Sequence, residues 1–157
     1  MKIENIELYY LSMPEVLDEA DGSQDALIVK VEGGGLVGWG ECEASPLTSI
    51  ANFVCPKSHS AANPVRDSII NQELNNLEDV KKISRKVKLR SLMIAQTPHT
   101  FSGIEVAILD LLAKKEQCPI YELLGYKKST PKLAYASVLF GNSPEETLKI
   151  AKKMRQK

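Results

Sequence analysis

The spacing of apolar residues changes between the first third and the middle of the chain, and this change limits the possible folds more than any other feature. In the first third, apolar residues alternate with polar ones, as at Ile6, Leu8 and Tyr10, which is the period of a half-buried β-strand. From residue 63 to residue 124 they recur every three or four positions, as in amphipathic helices. Strands followed by helices predict an α+β fold, a three-stranded antiparallel meander followed by a helical bundle.

Two further strands are predicted at Ala26–Glu32 and Leu36–Cys42, joined by Gly33-Gly34-Gly35. Glycine accepts the positive φ of a tight hairpin turn without steric cost. Gly33, Gly35 and Gly38 also match the dinucleotide fingerprint G-x-G-x-x-G, but that motif must lead directly into a helix. Residues 36–39 continue a strand instead, so the pattern favours a hairpin over a nucleotide site.

Four helical segments are predicted in the middle of the chain. The first begins at Asn63-Pro64 and carries an apolar stripe from Val65 to Leu77, and the second carries a stripe at Val80, Ile83 and Val87. The third begins at a Ser102/Glu105 capping box and continues through Leu112. The fourth is a short turn at Pro119–Leu124 that ends at Gly125.

The last thirty residues depart from this pattern. The apolar run predicts a buried strand at Leu133–Phe140. A capping box at Ser143-Pro144-Glu145-Glu146 predicts the start of a helix. A strand and a helix are the first two parts of a βαβ crossover, and the second parallel strand is missing. We therefore expect two domains, 1–128 and 129–157, with the chain ending in mid-architecture.

Charge and composition exclude several classes of protein. The 20 basic and 20 acidic residues balance, which argues against a nucleic-acid binder. Neither a membrane-spanning stretch nor a signal-peptide pattern is present, and three cysteines are a poor disulfide framework. We expect a cytoplasmic protein that binds neither nucleic acid nor membrane.

The chemistry-bearing residues form no complete active site. Cys55 and His59 approach zinc-ligand spacing, but Cys42 and Cys118 are isolated in the sequence. The two histidines, His59 and His99, give no support for a catalytic triad, and the carboxylates lack metal-cluster spacing. We predict no catalytic and no metal-ligating residue in this chain.

Three blocks of sequence resemble one enzyme family. They are Gly38-Trp39-Gly40-Glu41, a helix over 102–114 that ends in an Asp-Leu-x-x-Lys-like run, and Pro119-Ile120-Tyr121-Glu122-Leu123-Leu124-Gly125. Together they resemble the enolase superfamily, and more narrowly its mandelate racemase / muconate lactonizing enzyme branch. In that comparison Lys132–Val138 resembles the first strand of the barrel.

The resemblance implies an N-terminal capping domain set over a modified TIM barrel, here with only the first βα unit of the barrel. Members of the branch are isomerases or lyases that remove a proton α to a carboxylate with the help of a bound Mg²⁺. In the family the metal ligands and acid/base residues lie on later barrel strands. We therefore expect Mg²⁺ in the full-length enzyme, none on this chain, and no activity from this chain alone. The expected partners are a small carboxylate substrate, the missing C-terminal barrel and further copies in a homo-oligomer.

In the family, two loops of the cap close over the barrel mouth and select the substrate. They correspond here to Pro14–Asp25 and Glu41–Ser60. The candidate substrate-binding residues are Glu41, Thr48, Phe53, His59, Ser137, Glu15 and Asp18. An acidic first loop suits a hydroxyl-rich sugar acid, because carboxylates accept hydrogen bonds from hydroxyls.

The resemblance favours an acid-sugar dehydratase or racemase as the parent enzyme. A cycloisomerase or an amino-acid or dipeptide epimerase of the same branch stays open. The alternative from another class is a stand-alone, non-catalytic interaction module, which predicts a monodisperse protein without exposed apolar surface. The enzyme hypothesis predicts the opposite, because the barrel-facing side and the unpaired strand 133–140 would then be exposed.

Overall fold

Three antiparallel strands, β1 (Asn5–Leu11), β2 (Ala26–Gly33) and β3 (Leu36–Cys42), form one sheet in the order β1-β2-β3. The structure is a computed structural model that describes residues 1–15, 24–42, 45–128, 131–136 and 143–155. The chain divides into two units, one of Met1–Ser12 with Asp25–Lys127 and one of Met13–Gln24 with Lys128–Lys157. The predicted α+β class, a three-stranded antiparallel meander followed by helices, is confirmed.

The hairpin between β2 and β3 turns through two glycines. Gly33 pairs with Leu36, and the two residues between them, Gly34 and Gly35, have φ angles of 57° and 75°. Positive φ at both central positions is the geometry of a type I′ turn, which matches the twist of the flanking strands. The prediction of a hairpin is therefore confirmed, and Gly38 lies within β3 rather than at the start of a helix.

Helices follow the sheet in the order α1 (Pro46–Val54), α2 (Arg66–Ile69), α3 (Leu77–Arg90), α4 (Thr97–Lys115), α5 (Ile120–Leu123) and α6 (Pro144–Arg155). The longest of them, α4, packs on the sheet and contributes Ile104, Ile108 and Leu111, each fully buried, to a core shared with Val29 and Val31 of β2. None of the helices in the described part of the chain combines the length and apolar character that a membrane span requires.

Helix α4 approaches β3 so closely that side chains are excluded at the contact. A Cβ on Gly38 would lie 2.0 Å from the carbonyl oxygen of Ala107, and one on Gly40 would lie 2.1 Å from that of Gly103. Real Cβ atoms essentially never come this near to backbone atoms, so these positions accept only glycine. The glycines of β3 thus allow backbone to pack on backbone.

The predicted single helix from Asn63 to Leu77 is wrong. Helix α2 ends at Ile69, and Asn71 has a φ of 64°. The backbone N–H of Leu74 instead donates to the carbonyl of Met1 at 2.8 Å, and that of Asn71 donates to the carbonyl of Ile3 at 2.9 Å. Pairing with the N-terminal residues therefore replaces helical hydrogen bonds, while the apolar side chains of the stripe still reach the core.

Helix α3 begins directly after its N-cap residue, Asn76. The side chain of Asn76 accepts hydrogen bonds from the backbone N–H groups of Glu78 and Asp79 in the first turn, at 3.0 and 3.2 Å. The predicted stripe of Val80, Ile83 and Val87 is buried on this helix. That prediction is confirmed.

The start of α4 differs from the prediction as well. The helix begins at Thr97, with Pro98 in its first turn, and Ser102 is an interior residue whose hydroxyl donates to the carbonyl of His99 at 2.8 Å. The predicted Ser102/Glu105 capping box is therefore wrong, because a proline in the first turn marks an earlier start. The short turn before Gly125 is confirmed as α5, and Gly125 has a φ of 93°.

In the second unit, the N-cap predicted at Ser143 is confirmed. The Ser143 hydroxyl accepts a hydrogen bond from the backbone N–H of Glu146 at 3.2 Å as α6 begins. The predicted strand Leu133–Phe140 does not form over its described residues, 133–136, because a strand needs a hydrogen-bonded neighbour and these residues have none among the described strands. Residues 137–140 lie outside the described part of the chain.

Candidate functional site

The second candidate loop, residues 41–60, contains a helix that the sequence analysis does not predict. Helix α1 has Pro46 at its first position and places Leu47 and Thr48 on its exposed side. Ser49 and Asn52 point inward and are buried. The signal for this helix is an N-terminal proline followed by Leu47, Ile50 and Val54 at helical spacing, inside a segment read as a loop.

Asn52 ties α1 to the first turn of α4. Its amide Nδ2 donates to the hydroxyl oxygens of Thr97 and Thr100, at 3.3 and 3.1 Å. Each threonine hydroxyl in turn donates to a backbone carbonyl, that of Ser91 at 3.1 Å and that of Gln96 at 3.2 Å. Because these hydroxyl protons are already used, the threonine oxygens can only accept from Asn52, which sets the orientation of the amide.

Two further hydrogen bonds hold α1 to the residue before α4 and to the residue before α2. The Gln96 Nε2 group donates to the Ser49 hydroxyl at 3.2 Å, and the backbone carbonyl of Asn52 accepts from the N–H of Val65 at 3.3 Å. Hydrogen bonds between buried side chains hold their elements in one arrangement, since breaking one of them leaves a further unpaired buried group. Helix α1 is therefore a fixed platform rather than a free loop.

A groove of about 390 Å³ opens beside α1, between its C-terminal half and the turn before α4. It is lined by Thr48, Ala51, Asn52, Cys55, Pro56, Ser58, Ala62, Ile94 and Gln96. The Oδ1 atom of Asn52 is buried and has no hydrogen-bond partner among the described residues. The accessible surface of the groove is almost entirely apolar and carries no charged side chain, and Thr48 and Ser58 bring hydroxyl groups to its lining.

His59 lies in a tight turn next to this groove. The backbone N–H of Ala61 donates to His59 Nδ1 at 3.3 Å, and the N–H of Ala62 donates to the His59 carbonyl at 3.1 Å. The Asn63 side chain closes the turn by donating to the Ser60 carbonyl at 2.8 Å. His59 Nδ1 thus acts as a hydrogen-bond acceptor within its own turn.

The other candidates in the first unit lie elsewhere. Glu41 is exposed near the end of β3, and it does not line the groove. Phe53 is only 4% exposed and belongs to the hydrophobic core, where its ring has almost no surface to offer a ligand. The structure therefore places Thr48 in the lining of the groove and His59 next to the lining residue Ser58. Glu41 and Phe53 do not line the groove.

The sequence matches the family model described as "Mandelate racemase / muconate lactonizing enzyme, N-terminal domain" over residues 17–125. The chain belongs to this family. The match covers both candidate loops from residue 17 onward, the sheet strands β2 and β3 and the helices α1 to α5. The chain is thus an enolase-superfamily capping domain, and its relatives are racemase- or lactonizing-enzyme-like proteins.

Two solved structures resemble this member of the mandelate racemase / muconate lactonizing enzyme family. One, described as a predicted mandelate racemase from Rhodobacter sphaeroides, is 53% identical with a TM-score of 0.92, and the match covers 99% of this chain and 40% of that one. The other, a mandelate racemase/muconate lactonizing enzyme-like protein from Rubrobacter xylanophilus, is 18% identical with a TM-score of 0.65, covers 99% and 39%, and shows the shared fold alone. No curated protein matches the chain. The chain therefore spans about two fifths of the length of these two proteins.

Three of the candidate positions fall in the second unit or outside the described residues. Glu15 is exposed and belongs to the second unit. Asp18 and Ser137 lie outside the residues that the structure describes.

The metal that the family resemblance implies finds no ligand set in the described part of this chain. Nowhere among those residues do three His, Cys, Asp or Glu side chains come together. The three cysteines are free, and Cys42 is buried with its thiol donating to the carbonyl of Thr100 at 3.3 Å. Burial raises the pKa of Cys42 to about 11, which keeps this thiol protonated at neutral pH and unsuited to metal binding or nucleophilic attack.

Proposed function

We propose that this chain is the capping part of an enolase-superfamily enzyme that removes a proton α to a carboxylate, and that residues 41–60 help to select its substrate. The observation that carries the proposal is the platform of α1, held on α4 by the buried hydrogen bonds of Asn52, with an uncharged and mainly apolar groove at its surface to which Thr48 and Ser58 contribute. A recognition surface discriminates between substrates only when its supporting groups are held in place.

Two hydroxyl residues at the edge of the mainly apolar groove support a hydroxyl-bearing acid as the substrate. Thr48 and Ser58 carry hydroxyls that both donate and accept, so they can pair with either part of a sugar hydroxyl. A site that hydrogen-bonds such a group rejects an analogue lacking it more strongly than an apolar pocket would. Dehydration or racemisation of an acid sugar is therefore the proposed reaction of the parent enzyme.

The catalytic residues of that parent enzyme are expected elsewhere. A proton α to a carboxylate is weakly acidic, so its removal needs a positioned base and stabilisation of the developing negative charge. No cluster of carboxylates suited to Mg²⁺ forms among the described residues of this chain. We place the Mg²⁺ ligands, the acid/base residues and the carboxylate-binding groups in the remaining part of the enzyme.

The alternative of a stand-alone interaction module is disfavoured by the exposed apolar side chains. Leu92 and Met93 of the first unit are about two-thirds exposed, and Leu133 and Tyr135 of the second are almost fully exposed. An isolated module is expected to keep such residues covered. Exposed side chains at the position of the proposed first barrel strand support the enzyme instead.

The test is proton exchange catalysed by the full-length natural product of the gene that encodes this chain. The protein is incubated in D₂O with a panel of aldonic and aldaric acids, N-acylamino acids and dipeptides, and the α-proton signal of each is followed by NMR. We expect exchange, or formation of a 2-keto-3-deoxy acid, with one or more acid sugars. Exchange with amino acids or dipeptides alone would favour an epimerase, and no exchange with any carboxylate would overturn the proposal.

A further inference from the structure

A cleft of about 500 Å³ opens where α2, the two residues after it and the last residue of α3 meet. Two arginines line it, Arg66 from α2 and Arg90 from α3, together with Asp67, Ile70 and Asn71. The lining is mainly polar, and it carries two positive charges against one negative charge. None of these residues lines the groove beside α1. The cleft is therefore a polar site of its own with an excess of positive charge.

The guanidinium of Arg90 is held in place by neutral groups. Its Nη1 donates to the backbone carbonyl of Asp67 at 3.4 Å, and its Nη2 donates to Oδ1 of Asn63 at 3.3 Å. A guanidinium has five N–H groups, so three of them have no partner among the described residues. Because neither acceptor is a charged group, these hydrogen bonds orient the guanidinium without neutralising it.

Arg66, on the α2 side of the cleft, is exposed, and its side chain has no hydrogen bond or ion pair with any residue that the structure describes. The carboxylate of Asp67 lines the same cleft, yet it forms no ion pair with either arginine. The ion pairs of α3 lie near the start of that helix instead, at Lys81 and Lys82. Both guanidiniums of the cleft are thus left without a paired anion in the described part of the chain.

We propose that this cleft binds the tetrahedral oxyanion of a small phosphate monoester between Arg66 and Arg90. Each guanidinium presents a planar fork of N–H groups that pairs with two oxygens. A carboxylate has two oxygens and fills one fork, whereas a phosphate monoester has three terminal oxygens and can pair with both arginines at once. Its two negative charges also match the two positive charges of the cleft. The half-buried side chain of Ile70 offers an apolar surface to the organic part of the ester.

Two neighbouring charges act on the bound anion in opposite directions. Lys86 lies four residues before Arg90, on the same face of α3, and adds positive charge beside the cleft. Asp67 lines the cleft itself, and its carboxylate repels the anion. Asp67→Asn removes this repulsion and is expected to tighten binding by about three- to tenfold. Glu116→Gln makes the same change of charge at an exposed residue outside the cleft, and we expect it to leave the affinity unchanged.

The test is an NMR titration of the ¹⁵N-labelled chain with phenyl phosphate at about pH 6.5, where a phosphate monoester is mainly a dianion. Sodium chloride is adjusted to keep the ionic strength constant. We expect saturable shifts of the Nε–H signals of Arg66 and Arg90, and none for Arg85, which is exposed on α3 and does not line the cleft. Sulfate, a tetrahedral dianion without an organic part, should bind at the same two arginines. Benzoate, which keeps the aromatic ring but carries a carboxylate, should bind about tenfold more weakly or less.

Arg66→Gln is the decisive variant, because its side chain has no partner within the described ranges and its loss should not affect folding. We expect this substitution to weaken phenyl phosphate binding by about tenfold or more, and Arg85→Gln to leave it unchanged. Shifts of equal size at Arg85, or no saturable shift at either arginine of the cleft, would overturn the proposal. Benzoate that binds as tightly as phenyl phosphate would overturn the assignment to a tetrahedral anion. An affinity that Asp67→Asn leaves unchanged would place the anion outside the cleft.

Discussion

The carboxylate of Asp110 accepts a hydrogen bond from the backbone N–H of Trp39 at 2.8 Å. One turn further along α4, Lys114 donates to the carbonyl of Val37 at 2.8 Å and pairs with Asp110 at 2.7 Å. Two side chains of the helix thus occupy the donor and acceptor positions that a neighbouring strand would use on the outer edge of β3. Covering an edge in this way blocks pairing with another chain. The Asp-Leu-x-x-Lys-like run of the family resemblance has a physical role here.

Removing this cover is expected to cost stability and to promote association. Asp110→Ala leaves the Trp39 N–H without its acceptor and Lys114 without its ion pair, and we expect a loss of about 1 kcal/mol because both side chains are partly exposed. Urea unfolding and light scattering measure the two effects. Asp110→Asn, which keeps an acceptor oxygen, is expected to lose less. An unchanged unfolding midpoint in Asp110→Ala would show that water replaces the carboxylate without loss.

Gly40→Ala is expected to be far more destabilising than its size suggests. The added Cβ would lie 2.1 Å from the Gly103 carbonyl oxygen and 2.9 Å from the Ala107 nitrogen, and neither backbone atom can rotate away. Helix α4 would have to move off the sheet, at a cost of about 3 kcal/mol or more. Gly35→Ala is the control, because its φ of 75° costs about 1 kcal/mol while its Cβ meets no atom within 4 Å. Equal losses for the two variants, measured by urea unfolding, would contradict close packing as the cause.

The strands and the hairpin could be predicted from sequence because their signals are local. Alternation along β1 and β2 and the glycines at 34 and 35 depend only on neighbours in the chain. The break at Asn71 could not be predicted, because the apolar spacing from Val65 to Leu77 is compatible with a helix. What interrupts that helix is pairing with residues 1–3, some seventy positions away.

The candidate site, too, could be predicted only in part. The family resemblance indicates Thr48 as a candidate, and Thr48 lines a groove. The groove itself depends on the position of α1, which requires contacts between residues 49–52 and 96–100. Phe53 has the same local sequence signal as a ligand-facing aromatic residue, and only its burial distinguishes the two. Sequence spacing alone carries no information on which side of a short helix meets the core when that helix lies between two loops.

Asn52→Ala is expected to loosen α1 from α4. The substitution removes two hydrogen bonds and leaves a small cavity beside the hydroxyls of Thr97 and Thr100, for an expected loss of about 2 kcal/mol. Hydrogen exchange of the α1 amides should accelerate more than that of the α4 amides. Ala51→Gly is a control on the exposed side of α1, because it lowers helix propensity without touching the buried contacts. Equal acceleration in both variants would mean that Asn52 acts only on the helix itself.

The buried thiol of Cys42 is expected to make the folded chain less stable in alkaline solution. Its pKa rises from 9.0 to about 11 through burial, so between these values the folded chain holds a proton that the unfolded chain releases. Stability from this group is complete below pH 9 and is lost as the pH rises toward 11, by up to about 2 kcal/mol. Urea unfolding at pH 8 and 10.5 measures the change, with Cys42→Ala as the comparison. If the Cys42→Ala variant loses as much stability between pH 8 and pH 10.5 as the parent chain does, groups other than Cys42 cause the loss.

The same burial predicts how the three free cysteines react. Cys55 and Cys118 are half-buried, whereas Cys42 is 2% exposed. Because the reactive species is the thiolate and the reagent must reach it, an aromatic disulfide reagent at pH 8 should modify two thiols rapidly and the third only on unfolding. Mass spectrometry of digested protein identifies the slow site. Early labelling of Cys42 would contradict the packing of β3 against α4.

Thr48 gives the direct test of the groove in the proposed enzyme. Its side chain is exposed on α1, so Thr48→Ala should leave folding unchanged and remove one hydroxyl from the groove. If that hydroxyl binds the substrate, kcat/KM for the preferred acid sugar should fall by about three- to tenfold, the range for one uncharged hydrogen bond. Thr48→Ser keeps the hydroxyl and should retain most of the activity. Leu47→Ala, also exposed on α1 but outside the groove, should have no effect, and a loss equal to that of Thr48→Ala would assign the change to the helix surface in general.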